Sequence, residues 1–398
     1  MNPFAKPRVI IFSDHLLYPS ETFIYAQANA LRNFEPVYAG SRRVAGLDLR
    51  GQNICTINRG NQRDRILELG FKLFGYAPDF ARRLGAFRPV LLHAHYGSNG
   101  LRVLPLASKL GIPLIVTFHG SDATVLDLRH QNVRLGFRHY VLNKQKLIKS
   151  NAWFLAVSKF IRRKLLEQGF PEEKVLVHYT GVDTKKFHPA STEAAPVILF
   201  VGRMEESKGA EFLIRAAAEV QKELPEVELV LLGDGSLRAG LEQLAKQSLR
   251  RYQFLGFRTS EDVREWMNRA SLICVPSITR LSGEEEGFGM VCAEAQAVGK
   301  PVVAFASGGI SEVVAHAETG FLASEGDWRA MAKYVLVLLR DAQLRQGFGV
   351  AGRERVLREF DLELRTRALE EIYVRVSGAG TASEEGEICF DTAVISYP

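Results

Sequence analysis

The feature that most limits what this chain can fold into is an alternation that occurs twice. Short apolar runs, RVIIF (residues 8–12), VLLHAH (90–95), PLIVTF (113–118) and AWFLAV (152–157), are separated by longer stretches with helical spacing. A brief apolar run bounded by turn formers reads as a buried strand, and strands that alternate with helices lie parallel with helices on both faces. The second half repeats the pattern with VILFVG (197–202), VELVLLG (227–233), YQFLGF (252–257), SLICVP (271–276), PVVAF (301–305) and GFLA (320–323). Helical stretches begin there near Gly209, Leu237, Glu261 and Gly289. The fold class is therefore α/β, with two Rossmann-like doubly wound domains in tandem and a cleft between them.

The join falls near FHPASTEAAP (187–196), where small residues and proline interrupt both patterns. This divides the chain into domains over 1–190 and 191–374, and the tail 375–398 loses periodicity and is expected to be mobile. With 398 residues and 46% apolar content, the chain can fill two cores. Lys6 and Arg8 precede an apolar run too short for a signal peptide, and no window reaches the length of a membrane span. Cys55, Cys274, Cys292 and Cys389 show no regular spacing, so reduced thiols in a cytoplasmic protein are expected.

The formal charge of +6 is unevenly spread. Residues 1–190 hold 28 Lys and Arg against 13 Asp and Glu, and the remainder holds 23 against 32. Between Asp127 and Glu167 stand ten basic residues and no acid, interleaved with Phe137, Tyr140, Leu142, Leu147 and Ile148. Such a segment fits a peripheral contact with anionic phospholipid or a polyanionic acceptor, and it fits equally a set of solvated helix faces.

Chemistry concentrates in SITRLSGEEEGFGMVCAEAQA (277–297). Gly287 and Gly289 break the chain before a run that reads as a helix ending at Gly299, with Glu286 in the loop and Glu294 inside the helix. A carboxylate accepts two hydrogen bonds in a plane and suits sugar or ribose hydroxyls, while N–H groups at a helix start suit a pyrophosphate. The segment thus predicts a sugar-nucleotide site, against the plainer reading of an acidic loop and a solvated helix residue. His93, His95, His119, Arg203 and Asp234 also follow or end apolar runs, where open α/β sheets bind ligands. His93 and His95 are expected to alternate across a strand end and point to opposite sides, one lining the cleft and one packing, which makes them a poor metal pair.

HAHYG (93–97), HGSD (119–122), AVS (156–158), GVDTKKF (181–187), VGRMEESKG (201–209), GDG (233–235) and the segment from Glu286 to Glu294 occur in order. In this set the chain resembles the retaining glycosyltransferases of family 4, which have the two-domain fold called GT-B. SETFI (20–24) is similar to an element of exopolysaccharide, lipopolysaccharide and colanic-acid glycosyltransferases. The resemblance implies that Arg203 and Lys208 hold the donor diphosphate, Glu286 contacts the transferred sugar, and Glu294 binds the ribose. Main-chain groups of Gly287, Phe288 and Gly289, together with Gly202, Gly235 and Phe257, would complete the donor site, with His119 beside sugar and phosphate.

Ser20, as a helix cap followed by Glu21, would face the acceptor together with His95. No Asp-x-Asp element is present, and the resemblance implies no metal and no cofactor, since the two cations neutralise the leaving diphosphate. The implied reaction moves a sugar, with retention, from a nucleotide diphosphate sugar, most often UDP-linked in this family, to a hydroxyl of a glycan or lipid-linked glycan. Nucleic acid is not an expected partner. A nucleotide-sugar epimerase and a non-catalytic binding module are the rival readings. A dinucleotide oxidoreductase is disfavoured because no G-x-G-x-x-G follows the first strand.

Overall fold

A computed structural model describes residues 6–75, 77–125, 135–190 and 195–379. Residues 126–134 of the basic segment, 191–194 of the join and 380–398 of the tail lie outside the described residues. The first domain holds an eight-stranded sheet built from β1 (Arg8–Phe12), β2 (His15–Leu16), β3 (Glu35–Arg43), β4 (Asn53–Asn58), β5 (Pro89–His95), β6 (Leu114–Phe118), β7 (Trp153–Ala156) and β8 (Val175–Val177). The main path runs β2-β3-β1-β5-β6-β7-β8, with β4 on β3, and every pairing is parallel. β3 and β4 lack a continuous apolar run, and in β8 the run is only three residues long. In β3 (EPVYAGSRR) the apolar stretch is interrupted by Pro36 and Gly40, and pairing with β1 supplies the order that local composition does not.

The second sheet contains β9 (Val197–Val201), β10 (Glu228–Leu232), β11 (Tyr252–Gly256), β12 (Leu272–Val275), β13 (Val302–Phe305) and β14 (Gly320–Ala323), in the order β11-β10-β9-β12-β13-β14. The chain reverses direction across this sheet at β9 and β12, and the crevice beyond their carboxyl ends is where a doubly wound sheet admits a ligand. Helices in this half start at Ala210, Arg238, Ser260 and Met290, each within a residue of the sequence expectation.

The last helix, Leu362–Ser377, which a division at 374 groups mainly with the second domain, crosses back to the first. Leu369 and Tyr373 are buried with Val9, Ile11, Phe34 and Leu91 of the first domain. The Glu370 carboxylate accepts the main-chain N–H groups of Arg32 and Asn33 at 2.7 and 2.6 Å. Burial of a side chain as large as leucine or phenylalanine is worth about 1.5–3 kcal/mol, enough to tie the chain's end to its beginning. Arg375 lies over the Trp153 ring and continues the helix into what the sequence reading counts as tail.

Candidate active site

On the second domain, the turn after β9 carries Arg203 and Lys208, and the loop after β12 carries Ser277 and Glu286. Lys208 donates to the Glu286 carboxylate at 2.6 Å, and the Ser277 hydroxyl donates to the same oxygen at 3.4 Å. Burial pushes the Glu286 carboxyl up, but Lys208, Ser277 and the charge of Arg203 more than reverse this, so its pKa is lowered. Arg203 itself points outward, pairs with Glu205 at 2.9 Å and keeps most of its surface in water. Lys208 and an ionised Glu286, from opposite sides of the topological switch, are thus in direct contact, with Arg203 near enough for its charge to act on the carboxylate.

Close backbone packing forms that crevice. A Cβ on Gly287 would stand 1.9 Å from the His119 carbonyl oxygen of the other domain, so only glycine allows the two loops to meet. The Ser158 hydroxyl donates to the Gly287 carbonyl at 2.7 Å and fixes the loop from the same side. Gly289, with φ 93°, turns the chain into the helix Met290–Ala297, whose first N–H groups have no acceptor inside the helix. Gly235 packs against the main chain of Met204, and Gly202 lies above the Phe200 ring and beside Lys208. Phe257 is exposed after β11. The Phe288 side chain does not face the crevice but packs against Tyr179 and Phe360, leaving only its main chain for a ligand. Glu294 is half-buried, and burial pushes its carboxyl up to about 7 against the opposing charge of Lys186.

Across the cleft the first domain presents neutral groups. His93 and His95 lie on the same side of β5, with ring centroids 4.5 Å apart, contrary to the expectation of opposite sides. The reason is elementary: residues two apart in a strand share a face. His93 bonds to the Tyr373 hydroxyl at 2.6 Å and to the Thr117 hydroxyl at 2.7 Å, and His95 Nδ1 meets His119 Nε2 at 3.1 Å. Burial pulls all three imidazoles down, His119 to about 3, so the row is uncharged at neutral pH.

The rings of Phe23 and Tyr96 flank His119 at 5.0 and 4.8 Å. Tyr96 holds a positive φ of 73°, a conformation that costs a non-glycine residue on the order of 1–3 kcal/mol and clusters at functional sites. Asp122 ties the His119 loop together by accepting the main-chain N–H groups of Gly97, His119 and Gly120 at 2.9, 3.1 and 3.0 Å.

Ser20 is exposed and does not cap the helix Thr22–Asn29. The N-cap position falls instead on Glu21, whose buried carboxylate accepts the Tyr18 N–H at 2.9 Å and the Tyr96 hydroxyl, and burial pushes its pKa up. Serine is the commoner cap, but here the helix begins one residue later and the longer side chain folds back on its own turn.

Residues 15–186 match the sequence family described as Glycosyltransferase Family 4, and residues 182–355 match that described as Glycosyl transferases group 1. An uncharacterized glycosyltransferase of Methanocaldococcus jannaschii is 30% identical over 72% of this chain and 76% of its own length. This chain belongs to glycosyltransferase family 4.

Other relatives of this family 4 glycosyltransferase include the amylovoran biosynthesis glycosyltransferase AmsK of Erwinia amylovora, 30% identical over 66% of this chain and 64% of its own length. The putative colanic acid biosynthesis glycosyltransferase WcaL of Escherichia coli is 30% identical over 62% of this chain and 61% of its own. The matches thus span just under two thirds of AmsK and WcaL. Among solved structures, HepE of Anabaena in complex with UDP and glucose matches with a TM-score of 0.73 at 19% identity, over 93% of this chain and 100% of that one. Sucrose-phosphate synthase from Thermosynechococcus elongatus matches with a TM-score of 0.76 at 20% identity, over 94% and 100%. The fold of this glycosyltransferase is GT-B.

Ser277, Ser158, Phe23 and Tyr96 touch site residues; each lies inside an element that the sequence singles out, but none is marked there as a site residue. Tyr96 lies inside the HAHYG element, yet nothing local shows its positive φ. Among the described residues, no helix is long and apolar enough to cross a membrane, and no group of three or more His, Cys, Asp or Glu side chains converges in a way that could hold a metal ion.

Proposed function

We propose that this glycosyltransferase moves a sugar, with retention of anomeric configuration, from a UDP-sugar to a hydroxyl of a glycan or lipid-linked glycan, without a metal, in the assembly of a cell-surface polysaccharide. The observation that carries the reading is the Lys208–Glu286 pair at the β9/β12 switch, with Arg203 beside it. A leaving diphosphate gains negative charge as the glycosidic bond breaks, so cations already fixed in the crevice stabilise the transition state more than the ground state. Lys208 and Arg203 neutralise that charge, and the N–H groups at the start of Met290–Ala297 add to it. Glu286 orients sugar hydroxyls, and Glu294 the ribose.

Retention is assigned to same-face attack, in which the departing phosphate oxygen takes the acceptor proton. His119, uncharged and held by His95, Phe23 and Tyr96, hydrogen-bonds the sugar without competing for the proton. Glu21 and Tyr96 border the acceptor side. The naming of AmsK and WcaL for amylovoran and colanic acid supports the polysaccharide setting, and the UDP-bound HepE structure supports the choice of base. A cytoplasmic enzyme working at the inner membrane face fits a lipid-linked acceptor.

A thermal-shift panel of nucleotide sugars tests the donor half, because a ligand of the folded state raises its melting point. UDP-sugars are expected to give the largest shift, unchanged by a chelator. A larger response to another base, or a response that needs a divalent ion, overturns that part of the reading.

A further inference from the structure

The helix Gln62–Phe74 of the first domain buries its carboxylates and exposes its aliphatic side chains. Its two acidic residues face the protein. Buried Asp64 accepts from the main-chain N–H and the side chain of Arg59 at 3.0 and 3.2 Å and from Asn61 at 3.0 Å. Buried Glu68 pairs with Lys72, accepts from Asn58 at 2.7 Å and lies 3.6 Å from Arg42. Phe71 is buried against Phe12 and Phe80, but the aliphatic residues face water: Leu67 is 43% exposed, and Ile66, Leu69 and Leu73 are 72%, 60% and 62% exposed. The i, i+3, i+7 spacing of Ile66, Leu69 and Leu73 makes one stripe, and helical geometry puts exposed Arg63 on one flank and exposed Arg65 on the other.

An ordinary surface helix hides its leucines and shows its carboxylates, so this arrangement exposes apolar surface and positive charge together and keeps negative charge off the outer face. That combination is complementary to the headgroup region of an anionic bilayer, where apolar side chains enter the acyl boundary and arginines meet phosphates. The helix also stands in the right place. Asn58 ends β4, Arg42 lies near the end of β3, and Lys72 approaches Asp14, just beyond β1, at 3.9 Å. Its inner face is therefore fastened to the carboxyl ends of the first sheet, beside the acceptor half of the cleft.

We infer that Gln62–Phe74 is a membrane-contact helix whose Ile66–Leu69–Leu73 stripe, between Arg63 and Arg65, docks on an anionic lipid surface. The inference rests on the reading of a lipid-linked acceptor and gives that acceptor's side of the cleft a position against the bilayer.

Co-sedimentation of the full chain with vesicles tests it, using phosphatidylcholine alone and an equal mixture of phosphatidylcholine and phosphatidylglycerol. The full chain is expected to bind the anionic vesicles more than about tenfold more tightly than the neutral ones, with binding weakened by salt. Ile66→Ser, Leu69→Ser and Leu73→Ser combined, and separately Arg63→Glu with Arg65→Glu, are each expected to weaken that binding by about tenfold or more. Both variants should keep the wild-type melting point and the wild-type thermal shift with UDP, since the changed side chains face solvent. Failure of the wild type to bind anionic vesicles, equal binding to both vesicle types, or undiminished binding by the serine variant overturns the inference. A dimer that the serine substitutions convert to monomer, without vesicle binding, overturns it in favour of an interface between copies. A missing UDP shift in the wild type speaks instead against the donor assignment.

Discussion

The two walls of the cleft solve opposite problems. The second domain brings charge to the crevice: Lys208 contacts an ionised Glu286, and the charge of Arg203 also acts on that carboxylate. The first domain brings neutral hydrogen-bonding groups, a buried histidine row that ends in His119 and is clamped by Phe23 and Tyr96. Under the proposed transfer, fixed charge would serve the half that holds the leaving group, whose charge grows during the reaction, and the neutral wall would direct a sugar hydroxyl without permanent charge. The lesson is that one fold, used twice, is specialised by the residues at its strand ends rather than by its sheets.

The sharpest way to break this contrast is to remove charge from the second wall. Glu286→Ala is expected to lower kcat by about 10²-fold or more with the melting point little changed, because the side chain belongs to a loop beyond β12 rather than to the core. Near-normal initial rates in that variant would erase the charged wall from the mechanism. Lys208→Met should cost a similar or slightly smaller factor in kcat/KM and abolish the UDP thermal shift, and a full shift in calorimetry or melting would deny Lys208 the diphosphate.

The neutral wall is probed through its supports. Tyr373→Phe removes the hydroxyl that partners His93 and leaves a buried ring nitrogen unsatisfied, a loss of about 1–3 kcal/mol that a urea unfolding midpoint would register. His95→Ala should lower kcat about tenfold while leaving the donor KM near its wild-type value, because His95 holds His119 rather than the ligand. His95→Asn, which keeps a hydrogen-bonding atom near Nδ1, should recover most of that loss. An equal deficit in both variants would reduce His95 to a packing residue.

The smallest effect concerns Glu294, a carboxyl of the second wall whose burial is not outweighed by neighbouring cations. Its folded pKa of about 7 lies above the ordinary 4.5, so its contribution to stability is fully present at low pH and is lost as pH rises from 4.5 through 7. Glu294→Gln, which mimics the protonated acid, should therefore stabilise the protein above pH 7 by on the order of 1 kcal/mol and do little at pH 4. A stability difference that does not change with pH would contradict this.

Much of the architecture is legible in the residues. The second sheet appears run by run, because each of its strands is a short apolar segment between turn formers, and Gly289 announces the helix it starts. The first sheet is less legible: β3 and β4 lack continuous apolar runs, β8 has one of only three residues, and all depend on partners for their order. Ser20 follows the usual capping rule, but the helix starts one residue later with Glu21 folded back on its own turn.

By itself the sequence determined two parallel-sheet domains, a cleft between them, and a set of cations and carboxylates at strand ends suited to a sugar nucleotide, because local periodicity and turn chemistry are written residue by residue. Only the tertiary structure decided that Lys208 and Glu286, 78 positions apart, share one hydrogen bond, and that His93, His95 and His119 form a row anchored by Tyr373 from the far end of the chain. It alone decided that the helix Gln62–Phe74 turns its leucines outward. Such contacts join residues distant in the chain, and which faces meet is fixed by the packing of whole sheets and helices rather than by any local stretch.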